Sequence, residues 1–162
     1  RLIEAFEIAL GHTQFVLVLA GGKGWRHDEI LHEVRRRNLE AKVLFPGFVP
    51  ETDLKALYSA AEVMAYPSLY EGFGLPVVES MACGTPVLTS TAPCLPEIAG
   101  QAAIFADPYD VQAIADGLTQ LTTDPELCAD LVQKGLTRAR MFNWDDSARK
   151  LLGLYRELAQ QG

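Results

Sequence analysis

The 162 residues carry 14 basic and 21 acidic side chains, which gives a formal net charge of −7 with neutral histidines. This balance, with no basic run longer than residues 35–37, argues against nucleic acid or an anionic membrane surface as the main partner. The 3 cysteines have neither metal-ligand spacing nor a disulfide pattern, so we expect reduced thiols in a cytoplasmic protein. No apolar run reaches the roughly 20 residues of a membrane span.

The first part of the chain alternates helical and strand patterns. Residues 15–20 form an unbroken apolar run, which predicts a parallel strand covered on both faces. Thr52 or Asp53 is expected to cap the helix that begins at Leu54. The elements predicted up to this point are a helix at 2–10, a strand at 15–20, a helix at 27–37, a strand at 42–45, a helix at 54–61 and a strand at 63–66.

A glycine-rich turn at residues 21–24 follows the first strand and precedes a helix. Open α/β sheets bind phosphates at such turns, and Lys23 would add positive charge there. Gly22 and Lys23 are therefore candidate nucleotide-binding residues. No Walker pattern and no complete dinucleotide fingerprint is present, so a turn without a ligand is an equally good interpretation, with Lys23 and Arg26 as solvated surface residues.

The most informative stretch, residues 66–87, has the pattern of a loop, a helix and a strand. Gly72 and Gly74 permit positive φ or the close approach of a ligand. Pro76 suits the first turn of a helix that starts near Leu75, and Gly84 suits its end. The free N–H groups of this helix start would face a ligand and favour phosphate oxygens.

Two carboxylates flank this loop, Glu71 before it and Glu79 one turn into the helix. Ionised carboxylates accept hydrogen bonds from sugar hydroxyls, so the corner suits a ligand that carries both hydroxyls and phosphates. A single glutamate at a helix start is commonly an ordinary residue without a binding role. The combination of a Gly-Phe-Gly loop with two glutamates separated by seven residues favours a binding site instead.

The second part of the chain has amphipathic patterns that predict helices with a packing role and no catalytic role. Asp107 and Asp110 precede one of them, and Asp124 and Asn143 are expected to cap the two that follow. We expect residues 141–144 to form a docking corner. The predicted elements are a strand at 86–90, a short helix near 95–97, a strand at 103–105 and helices at 111–121, 125–140 and 144–159.

Residues 66–87 resemble the signature of retaining GT-B glycosyltransferases of the glycogen-synthase-like and mannosyltransferase-like group, in which two such glutamates flank the loop. The resemblance extends from about Phe15 to Trp144 and does not indicate which sugar is moved. Further segments in the order and spacing of the family are 57–58, 66–68, 81–87, 95–97, 107–108 and 142–144.

The resemblance implies roles for particular residues. Glu71 is the expected catalytic residue and faces the transferred sugar, while Glu79 is expected to bind the ribose hydroxyls of the donor. The other donor-binding residues are Gly72, Phe73, Gly74 and Leu75. No metal site and no cofactor is expected, because the implied donor substrate is a nucleoside diphosphate sugar.

In the resembled family the loop after the second strand lines the base pocket. With Gly22 and Lys23 of the glycine-rich turn, the candidate nucleotide-binding residues are then Phe48, Val49, Glu51 and Leu54. Phe48 as a core aromatic residue and Glu51 as an ordinary charge at a helix start are equally good interpretations. Glu51 and residues 21–25 lean towards mannosyltransferase-like members, which would use GDP-mannose, with a UDP sugar as the other option.

The predicted fold is α/β, with a Rossmann-like doubly wound parallel sheet that forms one half of a GT-B enzyme. Residues 1–162 are expected to be a single C-terminal nucleotide-sugar-binding domain, a fragment without its N-terminal strand and without the N-terminal acceptor domain. The family's diphosphate-binding Arg and Lys would lie in the missing part. The last helix would cross back to the other domain and leave apolar surface exposed here. The expected location is cytoplasmic, with peripheral attachment at the inner membrane through the missing domain as a further option.

Two functions fit the sequence. The first is the donor-binding half of a retaining hexosyltransferase that uses a carbohydrate or lipid-linked acceptor. The second is a nucleotide-sugar-binding or epimerase-like GT-B module in which no transfer follows binding. The spacing of Glu71 and Glu79 favours the transferase.

Overall fold

Parallel strands alternate with helices through the computed structural model, which describes residues 1–22, 24 and 27–160. A helix of nine residues, ended at Gly11 as predicted, opens the chain. In chain order the elements are α1 (Leu2–Leu10), β1 (Leu17–Ala20), α2 (His27–Arg36), β2 (Val43–Gly47), α3 (Glu51–Ala60), β3 (Met64–Tyr66), α4 (Leu75–Ala82), β4 (Val87–Ser90), α5 (Leu95–Ala99), β5 (Ala103–Ala106), α6 (Val111–Thr123), α7 (Pro125–Ala139) and α8 (Trp144–Gln160).

The strands form two parallel groups. In one, β1 pairs with β2, and in the other β4 lies between β3 and β5. Among the described residues, no strand pairing joins β1 to β3. This arrangement confirms the predicted α/β class with parallel strands. Because parallel strands run in one direction, the loops after their carboxyl ends gather at one edge of each group.

The helix α1 packs against both groups of strands. Its Phe6 lies in a buried cluster with Leu88 of β4, and Leu17 of β1 and Ala65 of β3 pack against the same cluster. Burial of such side chains contributes roughly 1.5–3 kcal/mol each. The hydrophobic core therefore continues from one group of strands to the other through α1, although no strand ladder connects them in the described chain.

The prediction that the first strand is covered on both faces is wrong. Half-buried and exposed residues alternate along β1, and Val18 is 38% exposed. On the covered face, Leu17 and Leu19 pack against the cluster that contains Val34. The other face opens into a cavity of about 550 Å³, which Val18 lines together with Leu57 of α3.

One of the four expected helix caps differs from the structure: neither Thr52 nor Asp53 caps α3. This helix begins at Glu51 after Pro50, whose carbonyl accepts hydrogen bonds from the N–H groups of Asp53 and Leu54. Thr52 instead donates its hydroxyl to the carboxylate of Asp53 at 3.2 Å. The remaining caps are confirmed: the side chain of Asp110 accepts from the N–H of Ala113, that of Asp124 from Leu127, and that of Asn143 from Asp146.

The C-terminal helix α8 contains no buried residue. Its apolar side chains are about half exposed or more, and Trp144 at its start is 82% exposed. No helix within residues 1–22 and 27–160 is both long and apolar enough to cross a bilayer. The exposed apolar residues of α8 are Trp144, Leu151, Leu152, Leu154, Tyr155 and Leu158.

Candidate functional site

The loop between β3 and α4, residues 67–74, is called the central loop below. Gly74 ends it with φ at +96°, and α4 begins at Leu75 as predicted. A Cβ atom at Gly74 would lie 2.6 Å from Cδ2 of Leu95, whereas a Cβ at Gly72 would meet nothing within 4 Å. Gly74 is therefore required by the backbone and its packing, while Gly72 borders open space where a ligand can approach.

The start of α4 carries donors that the described chain does not use. The backbone N–H groups of Phe73, Gly74 and Leu75 form no hydrogen bond with any described residue. They lie at the positive end of the helix dipole, which favours negative charge. This confirms the backbone arrangement predicted from the glycines and Pro76.

Glu71 is held by two hydroxyl groups. The hydroxyl of Tyr66 donates to Oε1 of Glu71 at 2.6 Å, and the hydroxyl of Ser68 donates to the same oxygen at 2.7 Å. Burial and then the carboxylate of Glu71 raise the pKa of Tyr66 above its ordinary value. Tyr66 therefore stays protonated at neutral pH and remains a donor.

Glu79 has a tyrosine partner of its own, contributed by another helix. Tyr58 of α3 donates its hydroxyl to Oε2 of Glu79 at 3.0 Å. Burial, followed by Glu79, raises the pKa of Tyr58 to about 12. The electrostatic effect of Tyr58 also raises the pKa of Tyr66, so the two tyrosine–glutamate pairs are close enough to interact.

Buried hydroxyls at the carboxyl end of β4 fix the backbone of the central loop. Thr89 donates to the carbonyl of Tyr66 at 3.1 Å, and Ser90 donates to the carbonyl of Ser68 at 2.5 Å. Both side chains are fully buried. The backbone that carries both hydroxyl partners of Glu71 is thus tied to the central strand of its sheet.

Cys94 supports the same loop from the other side. Its thiol lies 3.4 Å from the carbonyl oxygen of Glu71 and 3.5 Å from that of Phe73, with geometry suited to weak hydrogen bonds. Burial and the nearby carboxylates raise the pKa of this thiol. Cys94 also has φ at +70°, a conformation that costs a residue with a side chain about 1–2 kcal/mol.

An aromatic contact holds Phe73 against the end of α7. The rings of Phe73 and Phe142 meet edge to face with centroids 5.6 Å apart. The guanidinium of Arg138 lies 5.0 Å from the centre of the Phe142 ring and also donates to the carbonyl of Ile98. The predicted docking corner at 141–144 thus includes one residue, Phe142, that supports the central loop.

The candidate nucleotide-binding residues lie around the carboxyl ends of β1 and β2. The N–H of Gly21 donates to the carbonyl of Gly47 at 2.9 Å, which brings Gly22 beside the loop that carries Phe48. Phe48 is 78% exposed, so its interpretation as a core residue is wrong. Glu51 is exposed, and Val49 and Leu54 are half-buried. Lys23 lies outside the described residues.

Four residues of this site were not among the sequence candidates: Tyr58, Tyr66, Ser68 and Cys94. The positions of Tyr66 and Ser68, at a strand end and just before Glu71, are a local signal that could have identified them. Tyr58 and Cys94 reach the site from α3 and from the start of α5. No local pattern relates them to the glutamates.

Most of the chain matches a known protein family. The family model described as glycosyl transferases group 1 matches residues 1–138. The chain belongs to this family. That match covers both glutamates, the central loop and every candidate nucleotide-binding residue.

Curated relatives of this glycosyl transferase group 1 chain include bacterial mannosyltransferases. The O-antigen chain mannosyltransferase B of Escherichia coli is 37% identical over 159 residues, which cover 97% of this chain and 42% of that protein. The MMP alpha-(1->4)-mannosyltransferase of Mycolicibacterium hassiacum is 39% identical over 109 residues, which cover 65% of this chain and 26% of that protein. The chain thus spans less than half the length of these relatives.

Solved structures confirm the fold of the family. Sucrose-phosphate synthase from Thermosynechococcus elongatus superposes with a TM-score of 0.88 at 31% identity, over 99% of this chain and 42% of that one. An Anabaena protein, HepE, crystallised with UDP and glucose, superposes with a TM-score of 0.86 at 24% identity, over 96% of this chain and 44% of that one. The Rossmann-like architecture of a GT-B half is therefore confirmed for this glycosyl transferase group 1 chain.

Proposed function

We propose that this chain is the donor-binding half of a retaining hexosyltransferase that moves a sugar from a nucleoside diphosphate sugar to an acceptor hydroxyl. One observation carries the proposal: Glu71 and Glu79, each held by a tyrosine hydroxyl, lie on either side of a helix start with three N–H groups that no described residue uses. Carboxylates suit sugar hydroxyls, and free N–H groups at a helix start suit phosphate oxygens.

The two glutamates bind different parts of the donor. Glu79, in the second turn of α4, binds the ribose hydroxyls of the donor. Glu71 faces the transferred sugar, where positive charge develops at the anomeric carbon in the transition state, and its carboxylate stabilises that charge. The N–H groups of Phe73, Gly74 and Leu75, with the space beside Gly72, receive the diphosphate.

The reaction breaks the bond between the anomeric carbon and the diphosphate oxygen and forms a bond from that carbon to the acceptor oxygen. The departing diphosphate oxygen takes the electron pair of the broken bond, and the proton of the acceptor hydroxyl is transferred to that diphosphate. The chain's own contribution is to orient the donor and to stabilise the leaving group with backbone donors, which need no reorganisation during the reaction.

The base of the nucleotide binds beside Phe48, Val49, Glu51 and Leu54, while Gly22 and the positive charge of Lys23 act on its phosphates. The exposed ring of Phe48 suits stacking on a base. The mannosyltransferase relatives favour mannose as the transferred sugar and GDP-mannose as the donor, with UDP sugars as the alternative.

The remaining parts of the enzyme come from further segments of the same protein. We propose an N-terminal acceptor domain that covers the apolar residues of α8, and a strand that lies between β1 and β3. The bare surface of α8 and the unpaired edges of β1 and β3 in the described chain support both. We propose a carbohydrate or lipid-linked acceptor and a cytoplasmic location, with peripheral attachment at the inner membrane through the added domain as a further option.

The test uses the longer parent protein with radiolabelled sugar nucleotides, with and without oligosaccharide or lipid acceptors, after a thermal-shift panel of UDP, GDP and ADP sugars. Acceptor-dependent transfer of label supports the proposal. Release of free sugar or of an epimer without acceptor would support an epimerase-like module instead. The isolated chain should bind nucleotides only in the millimolar range, which corresponds to about −4 kcal/mol.

Variants of the two glutamates test their roles. In the parent protein, Glu79→Ala should weaken both the bare nucleoside diphosphate and the sugar nucleotide by roughly 1.5–3 kcal/mol, as expected for a hydrogen bond to a charged group. Glu71→Ala should leave the bare diphosphate almost unaffected and lower the turnover rate instead. Equal losses of diphosphate affinity in the two variants would refute this division of roles.

A further inference from the structure

The two oxygens of the Glu71 carboxylate differ in their hydrogen bonds to the protein. Its Oε1 atom accepts two hydrogen bonds, one from Tyr66 at 2.6 Å and one from Ser68 at 2.7 Å. A carboxylate oxygen has two lone pairs, so these two donors occupy the acceptor capacity of Oε1. Oε2 accepts no hydrogen bond from any residue in the described ranges.

The two donors are themselves fixed in place. Tyr66 is the last residue of β3, and the N–H of Ser68 donates back to the carbonyl of Tyr66 at 2.9 Å. The carbonyls of both residues accept hydrogen bonds from the buried hydroxyls of Thr89 and Ser90. The hydroxyl groups on Glu71 therefore lie on backbone that is anchored in the sheet, not on a free loop.

We propose that Tyr66 and Ser68 are positioning residues, which hold Glu71 through Oε1 so that Oε2 alone meets the sugar of the donor. This inference rests on the proposed function and extends it from the glutamate to the residues that orient it. The carboxylate cannot rotate to offer both oxygens without breaking two charge-assisted hydrogen bonds. Its free oxygen is thus presented in one orientation before the donor binds.

The second tyrosine–glutamate pair provides an internal contrast. Tyr58 donates a single hydrogen bond to Glu79, an exposed residue, from a different helix. Removing the hydroxyl of Tyr58 should act on nucleotide binding, where Glu79 works. Removing the hydroxyl of Tyr66 should act on turnover, where Glu71 works. The same chemical change at two positions therefore gives two different kinetic results.

The kinetic experiment compares Tyr66→Phe, Ser68→Ala and their double variant with Tyr58→Phe in the parent protein. Tyr66→Phe should lower kcat about 10-fold with little change in the affinity for bare nucleoside diphosphate, as loss of a hydrogen bond to a charged group predicts. The double variant should lower kcat further, and Ser68→Thr, which keeps a hydroxyl, should retain most of the activity. Tyr58→Phe should mainly weaken the diphosphate. Tyr109→Phe, outside both pairs, controls for the tyrosine substitution itself.

A titration of tyrosines labelled at Cζ with ¹³C tests the same contacts without any transfer activity. Glu71→Gln should lower the pKa of Tyr66 and leave that of Tyr58 nearly unchanged, and Glu79→Gln should do the reverse. This readout separates two failures. If the parent protein transfers no sugar but shows these paired pKa shifts, the proposed function is refuted while the tyrosine–glutamate hydrogen bonds are supported.

Two results would overturn the positioning role. The first is an unchanged pKa of Tyr66 in Glu71→Gln, which would mean that the hydrogen bond is absent. The second is an active parent protein in which the double variant, folded according to its circular dichroism spectrum, keeps the kcat of the unsubstituted protein. If the double variant fails to fold, the two single variants decide by the same criterion.

Discussion

Gly72 and Gly74 lie two residues apart in the central loop, and the structure gives them different reasons to be glycine. At Gly74, φ is +96°, and an added Cβ would lie 2.6 Å from Cδ2 of the fully buried Leu95. At Gly72 an added Cβ would meet nothing within 4 Å. The substitutions Gly74→Ala and Gly72→Ala therefore make a matched pair in one loop.

The cost of Gly74→Ala has two parts. The left-handed backbone costs an alanine about 1–2 kcal/mol, and forcing a methyl group into a packed site costs about 1–3 kcal/mol. Alanine also restricts the unfolded chain more than glycine does, which offsets about 0.4–1 kcal/mol of this cost. The net loss of folding free energy is about 1–5 kcal/mol. At about 2–4 °C of Tm per kcal/mol for a chain of this size, Tm should fall by roughly 2–20 °C.

Gly72→Ala should leave Tm within about 2 °C of that of the unsubstituted chain, because neither backbone strain nor steric overlap arises at this position. Differential scanning calorimetry of both variants measures the difference. A Leu95→Val background, which removes the overlapping methyl group, should reduce the cost of Gly74→Ala by about 1–3 kcal/mol. Equal melting temperatures for the two alanine variants would refute the reasoning. In the longer enzyme Gly72→Ala should instead weaken donor binding about tenfold, since the open space beside Gly72 is where the donor is proposed to lie.

Three further experiments test other contacts. Cys94→Gly should be more stable than Cys94→Ala by about 1 kcal/mol in urea unfolding, because only glycine relieves the positive φ; the reverse order would contradict the strain at this residue. Hydrogen bonds from neighbouring arginines lower the pKa of Glu33 from 4.5 to about 2, so the stability that it provides is present above about pH 4.5 and lost as the pH falls towards about 2. Glu33→Gln should flatten the dependence of Tm on pH in that window, and an unchanged dependence would argue against the ion pair. A double-mutant cycle of Phe73→Leu and Phe142→Leu should give a coupling of about 0.5–1.5 kcal/mol, and zero coupling would mean that the two rings do not stabilise each other.

The fold was largely predictable from the sequence because helical patterns alternate with short apolar runs, and glycine or proline lies at several of the boundaries between them. The backbone of the site was predictable for the same reason, since Gly74 and Pro76 together specify the start of α4. Tyr58 and Cys94 were not predictable, because their contacts with Glu79 and with the central loop depend on how distant elements pack. The exposure of Val18 was also missed, since an apolar run indicates a strand but does not say how many helices cover it.

The acidic character of the chain bears on how it can hold an anionic donor. A helix start contributes about 0.3–2 kcal/mol to the binding of a negative group. A carboxylate about 8 Å from a phosphate repels it by about 2 kcal/mol at an effective dielectric constant of about 20, so one glutamate roughly cancels that contribution and a second outweighs it. The N–H groups of Phe73, Gly74 and Leu75, which no described residue uses, can therefore orient a diphosphate but cannot by themselves bind it tightly beside Glu71 and Glu79. Under the proposed function, tight donor binding needs added positive charge from Lys23 and from the proposed further segments, so donor affinity is expected to depend on assembly of the complete enzyme.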